Sequence, residues 1–529
     1  MQLNSEAKIS QLPDELMGQI LFVLRDMALA APNWGIYGDW DKWVCVTHVC
    51  HRWREIALSL PLLWDHIHPC REDATATWLA RSGTALLDVQ YTCNLSGWPL
   101  PLALQHLPRI RSLAAEIDDD TFDTDFTWSG LPAPHLQRLF VAFEHPSLPT
   151  SMPEDLFRLG NLPSLRNLSI YGGSWYWMTA PLPETLVEME FTFCPSWCER
   201  GMGARALAVL GRLSKLERLD ITDDNSGDFS RDSLGEMTDF PHISLPSMRI
   251  FKYEGAPFVC LYLLDRITLP SSCKLTLSAT ACRSTQERAD ELVTLFNRAV
   301  ILRGPAVTAV SLSFSDVFRF RMCFWKTDSP PDLPLSSTSA DIDFGCHDYM
   351  DRELYPSFTR GILMYDVVGR FALHGVRTLQ ISHIQHYAEL LDFRRILGLM
   401  PNIERMLIEE WNISGVLSIL PTRLADDSDQ FFLPNLRELV LEGVCFPAHS
   451  GTREGSQHLI YFLDRLKARR ERGVGISSLV LRRCRHLITP LVEAMRAEVG
   501  TLEWDGKMIF HPFESAIIDR VEEYVSEGR

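Results

Sequence analysis

A single phrase returns along most of this chain. An apolar residue is followed by two variable ones, and then by two apolar residues that bracket a variable one. LPRIRSLAAEI, PHLQRLFVAF, LPSLRNLSIYG, LSKLERLDITD, LPSMRIFKYEG, MPNIERMLIEE and LPNLRELVLEG carry it, often led in by Leu-Pro. ETLVEMEFTF, AVTAVSLSF, GVRTLQISHI and GISSLVLRRC are weaker copies. The first apolar positions are Ile110, Leu136, Leu165, Leu186, Leu216, Met248, Val307, Val376, Ile403, Leu436 and Ile476. The wide gaps around Val307 leave room for degenerate copies, and CKLTLSA near Leu275 is one candidate. Repetition of this kind restricts the fold: one unit cannot close a core alone, so its apolar side is covered by the next unit.

The last two apolar positions of each phrase alternate with polar ones, as in Leu168/Ile170, Leu219/Ile221 and Leu439/Leu441. That is the pattern of a short strand with one buried face. The proline just before it ends the preceding helix or loop. Helical stretches such as GARALAVLGRLSK and HLIYFLDRLKARRE lie between strands. Such alternation also fits a conventional parallel-sheet α/β domain, but the repeated strand phrases favour stacking. Residues 101–505 resemble the leucine-rich repeat family in an irregular form, with the loop 326–345 inserted. The resemblance implies a solenoid of short parallel strands and helices. The family places Asn or Cys three residues after the last strand apolar. Here only Cys194 and Cys484 match, while Gly173, Asp224, Trp411 and Val444 stand elsewhere. A regular asparagine ladder, and the even curvature it gives, is therefore not expected.

The first seventy residues follow a different period. In LPDELMGQILFVL, Pro13 suits the first helical position, and Asp14 and Glu15 favour the positive end of the helix dipole. Leu16, Ile20, Val23 and Leu24 recur at helical spacing. Val46, Val49, Trp53, Ile56, Ala57 and Leu60 continue that spacing and predict one stripe on a second helix, ended by Pro61. Cys45, His48, Cys50 and His51 are metal-ligand types, as are His66, His68 and Cys70, but neither set has a standard zinc spacing. No metal or cofactor is expected.

ISQLPDELMGQILFVL followed by VTHVCHRWREIALSLPLLWDHI resembles the F-box, a short helical module. Leu12-Pro13, Leu16/Ile20, Val49-Cys50, Trp53-Arg54 and Leu63-Trp64 fall in family order. WLARSGTALLDVQY is similar to the segment that follows the module in many fungal F-box proteins. The resemblance places the module at 8–70, with an insertion at 27–42 that carries Trp34, Tyr37 and Trp40, and a linking segment at 71–100. It implies binding to the Skp adaptor of a cullin-based ubiquitin ligase. Leu12, Pro13, Leu16, Ile20, Val49, Cys50 and Trp53 would carry that contact or the core beneath it. A module this small has little interior, so part of its apolar surface faces either a partner or its own neighbours.

Composition narrows the function. The chain of 529 residues is 46% hydrophobic and 22% charged, and its net charge of −17 argues against a phosphate-backbone binder. No apolar run reaches the roughly 18 residues of a spanning helix. A polar start and thirteen scattered cysteines fit a reducing, cytoplasmic or nuclear setting. No phosphate loop, nucleophile elbow or paired metal motif is present, so catalysis is not expected. EIDDDTFDTD (116–125) reads as a solvated acidic connection, and residues 326–345, rich in Ser, Pro and Asp, read as a loop. Trp175, Tyr176 and Trp177 directly follow a strand, where they either bind a protein substrate or pack on a neighbouring repeat. Residues 506–529 are expected to form a C-terminal helix or cap. The expected role is thus an adaptor without bond chemistry, holding a ligase core at one end and a substrate protein on the repeats. The alternative is a leucine-rich-repeat interaction scaffold without ligase association.

Overall fold

The structure is a computed structural model. It describes residues 8–29, 39–68, 71–91, 100–117, 131–143, 162–173, 181–193, 202–223, 241–281, 294–295, 307–316, 319–325, 342–348, 373–382, 393–411, 413–420, 433–446, 453–487 and 489–507. The chain is mixed α/β, and it divides into two units, Met1–Met248 and Arg249–Arg529.

The first unit opens with α1 (Asp14–Leu29), a 3-10 helix (Asp39–His48), α2 (His51–Leu58) and a 3-10 turn (Pro61–Trp64). The single helix read from Val46 to Leu60 does not form. His48 ends the 3-10 stretch, and Cys50 is extended at φ −158°, ψ 167°. The cause is local: Val44, Val46, Thr47 and Val49 are β-branched and lose side-chain freedom in an α-helix. Thr47 also turns its hydroxyl onto the Val44 carbonyl at 2.8 Å.

Seven strands of one parallel series follow among the described residues of this unit: β1 (His66–Ile67), β2 (Leu87–Tyr91), β3 (Ile110–Ile117), β4 (Arg138–Phe143), β5 (Asn167–Gly173), β6 (Glu188–Phe193) and β7 (Arg218–Asp223). Each pairs in parallel with the next. Helix α3 (Glu72–Arg81) lies between β1 and β2, within the segment read as a link. The repeated phrase sets the register. Leu113, Leu139, Leu168, Met189 and Leu219 align across the strands, as do Ala115, Val141, Ile170, Phe191 and Ile221. All ten are buried. A two-residue period with one greasy face has become two continuous apolar rows.

In the second unit the strand Lys274–Ala281 contains the candidate copy at Leu275 and pairs in parallel with Ile250–Gly255. Farther on, Thr378–Ser382, Arg405–Glu409, Glu438–Glu442, Ser478–Arg482 and Thr501–Trp504 form a second parallel series. Between the two groups the purely parallel expectation fails. Arg319–Trp325 is antiparallel to both Ala309–Asp316 and Ile342–Asp348. Only residues 317–318 separate Ala309–Asp316 from Arg319–Trp325, and a parallel return needs a crossover of about a dozen residues or more. The strand Ile342–Asp348 also corrects the loop reading for residues 342–345. There Ile342 and Phe344 alternate with Asp343 and Gly345, a period-2 pattern, and pair with Phe324 and Met322. Residues 326–341 and 508–529 lie outside the described residues.

The turn after four of the late strands repeats too. Glu410, Gly443, Arg483 and Gly506 all have positive φ, between 51° and 69°. Trp411, Val444 and Cys484, the three ladder positions of this series, are buried. Cys484 donates its thiol to the Leu441 carbonyl at 3.3 Å, while Trp411 and Val444 fill the same place with apolar bulk.

Candidate functional site

Helix α1 has two apolar faces. Met17 and Leu21 point inward, with Trp43, Ile56, Ala57, Leu63 and Trp64 in one buried cluster against which Leu24 and Ala28 pack. Gly18 lets the helix come close, since a Cβ there would lie 3.1 Å from Leu60 Cδ1. The indoles of Trp43, Trp64 and Trp78 meet with centroids 5.1 to 6.0 Å apart, and the Arg81 guanidinium lies 4.3 Å over Trp64. Trp64 donates its indole N–H to the Ala57 carbonyl at 2.9 Å.

The adjoining face, about 100° around the helix, is exposed. Leu16 is 45% exposed, Val23 57% and Met27 66%, with Ile20 half-buried between them. These four residues follow one another at i, i+4, i+7 and i+11, one stripe along the helix. Leu24 therefore does not share a face with Leu16, as the spacing had grouped it; it turns inward. Val49, 56% exposed, projects from the turn between the 3-10 helix and α2. Pro13 is exposed, and Leu12, Cys50 and Trp53 are half-buried. All seven residues expected at a partner surface keep solvent access. Val23, Met27, Leu58 and Leu62 add exposed apolar surface that the expected set left out.

A polar clamp holds the start of this surface. Arg52, from α2, donates to Asp14 Oδ1 from Nη2 at 2.6 Å and from Nε at 3.0 Å, and to the Leu12 carbonyl. The other end is tied down through Arg25. Its guanidinium reaches Asp65 at 3.0 Å and the Leu62 carbonyl. Asp65 faces His66 at 2.7 Å, His66 lies 3.5 Å from Asp88 on β2, and Arg111 on β3 pairs with Asp88 at 2.6 Å. These groups bind α1 to the first strands of the same unit.

His48, His51 and Cys45 are exposed, and His51 meets Glu55 at 3.2 Å. Among the described residues no group of three or more His, Cys, Asp or Glu side chains is placed to hold a metal ion. Trp175, Tyr176 and Trp177 lie outside the described residues. The sequence matches no protein-family model, and no curated protein is similar to it.

Proposed function

We propose that the chain is a substrate-recognition adaptor of a Skp-cullin-F-box-type ubiquitin ligase. On this reading residues 8–70 are an F-box-like module, and the strands beyond residue 100 form an irregular leucine-rich-repeat solenoid. One observation carries it: the stripe Leu16, Ile20, Val23 and Met27 lies open along a helix whose adjoining face is already filled by the chain's own core. Contiguous uncovered apolar surface of this kind is where another polypeptide docks. The adaptor performs no bond chemistry; it raises the local concentration of a bound protein beside the ligase's transfer machinery.

The test is co-purification of a Skp-type adaptor with the full chain. Leu16→Asp with Ile20→Asp, and separately Leu12→Ala with Pro13→Ala, are expected to lower adaptor binding at least tenfold without shifting the unfolding midpoint. Full binding by both variants would rule out the assigned surface. A wild-type chain that brings no adaptor with it would leave the scaffold alternative.

A further inference from the structure

The strands of the first unit carry a second surface, opposite the apolar rows. Ala114, Phe140, Ser169, Glu190 and Asp220 align across β3 to β7 on this outer side. An open groove of about 430 Å³ runs along it. The small side chains of Ala114 and Ser169 flank Phe140 and leave the depression. Tyr171 stands two residues beyond Ser169 on the same face, its ring 5.2 Å from that of Phe140.

Charge is unevenly met here. The lining includes Glu116, Glu188 and Glu190 against Arg138 and Arg218. Arg218 donates to Asp220 Oδ2 at 2.7 Å and also lies in the field of Glu188 and Glu190, and Glu188 accepts from Asn167 at 2.6 Å. Asp220 is buried, and its other carboxylate oxygen has no hydrogen bond among the described residues. Glu190 accepts from the Tyr171 hydroxyl and, at 3.4 Å, from Ser169. Two donors, one of them at long range, leave part of a carboxylate's four acceptor positions open. Burial and the neighbouring Glu190 push the Tyr171 phenol up, so the hydroxyl keeps its proton and remains a donor. The groove thus sets Phe140, with the Tyr171 ring against it, beside more carboxylates than guanidinium groups. A cation on a flexible apolar stem fits both, lying against the rings while its charge reaches the acid.

We infer that this groove docks a protein segment that presents an arginine or lysine side chain, stacked against Phe140 and ion-paired with Glu190. The inference deepens the substrate half of the proposed function and rests on it for the fate of the bound protein; binding itself needs no ligase.

The probe is a phage-displayed random dodecapeptide library selected on the full chain, with the winning peptides remade and measured by fluorescence anisotropy. Selected peptides are expected to share a basic residue beside an apolar one. Replacing that residue with Gln in the peptide, or Glu190→Gln or Phe140→Ala in the chain, is expected to weaken binding at least tenfold. Selection without basic enrichment overturns the inference, as does a peptide that binds the Glu190→Gln chain as tightly as the parent. The peptide-side substitution keeps the test valid if a variant folds poorly. Adaptor co-purification is read in the same preparations. Its absence while basic peptides still bind overturns the ligase reading alone, whereas a bound adaptor with no basic preference overturns the groove alone.

Discussion

His68 shows how a single side chain ties stability to pH. Burial holds its imidazole down to about 4 from an ordinary 6.5, and the nearby His66 adds to the shift. Between those values the unfolded chain takes up a proton that the folded chain refuses. The contribution is therefore complete above 6.5 and is lost as pH falls toward 4. Moving from pH 7 to pH 5 is expected to lower stability by about 1–2 kcal/mol through this residue. Urea unfolding at the two pH values checks it: His68→Gln should flatten the difference, and an unchanged difference would remove His68 as its source. Gly415 sets a steric limit instead. A Cβ there would stand 2.2 Å from the buried Trp411 indole, so Gly415→Ala should cost about 1–3 kcal/mol through forced displacement. Gly398, where a Cβ meets nothing within 4 Å, is the control. Gly398→Ala should be neutral or slightly stabilising, and equal losses at the two sites would contradict the steric account.

At the scale of elements, the joint between α1 and the first strands depends on paired charges with little solvent. Asp65 is buried, and Arg25 and Asp88 keep 12% and 15% side-chain exposure. Removing one partner leaves the others poorly solvated, so Asp65→Ala should cost on the order of 3 kcal/mol. The pair Arg71–Asp73 is mostly exposed, and Arg71→Ala should stay within about 0.5 kcal/mol. Equal losses in urea unfolding would show that burial does not govern the joint. None of this network was legible in the sequence, because Arg25, Asp65, Asp88 and Arg111 meet only after distant segments fold together. The repeated strands were legible, since two apolar residues around a variable one can bury only one face of a strand. Helix α1 was legible as a helix but not in its facing. Leu16/Ile20/Val23 and Met17/Leu21/Leu24 are equally periodic, and Trp43 and Trp64 decide which set turns inward. The break at Cys50 was hidden for a related reason: apolar spacing reads the same through a 3-10 helix, a turn and an α-helix.

Apolar rows built from one residue per strand run through the parallel series of each unit. In the later parallel series Leu379, Met406, Leu439, Leu479 and Leu502 align in one row, and Ile381, Ile408, Leu441, Leu481 and Trp504 in another. Here three of the five middle positions are apolar as well, while Gln380 and Glu503 hold the outer two. Leu407, Val440 and Val480 form a buried cluster on the opposite face, where the first unit has Ser169, Glu190 and Asp220. The same frame therefore makes three strands with apolar residues buried on both faces in one unit and a polar, grooved face in the other, and the difference rests on the variable residue between the two apolar ones. A strand in such a series touches mainly the strands before and after it, so injury should spread by neighbours rather than through the whole. Leu439→Ala opens a cavity in a fully buried position and should cost about 2–5 kcal/mol. Hydrogen exchange followed by mass spectrometry should then quicken in Arg405–Glu409, Glu438–Glu442 and Ser478–Arg482, while Lys274–Ala281 keeps its parent rate. A uniform quickening across all of these strands would mean that they share one cooperative core, and the stacked-unit description of this chain would have to be given up.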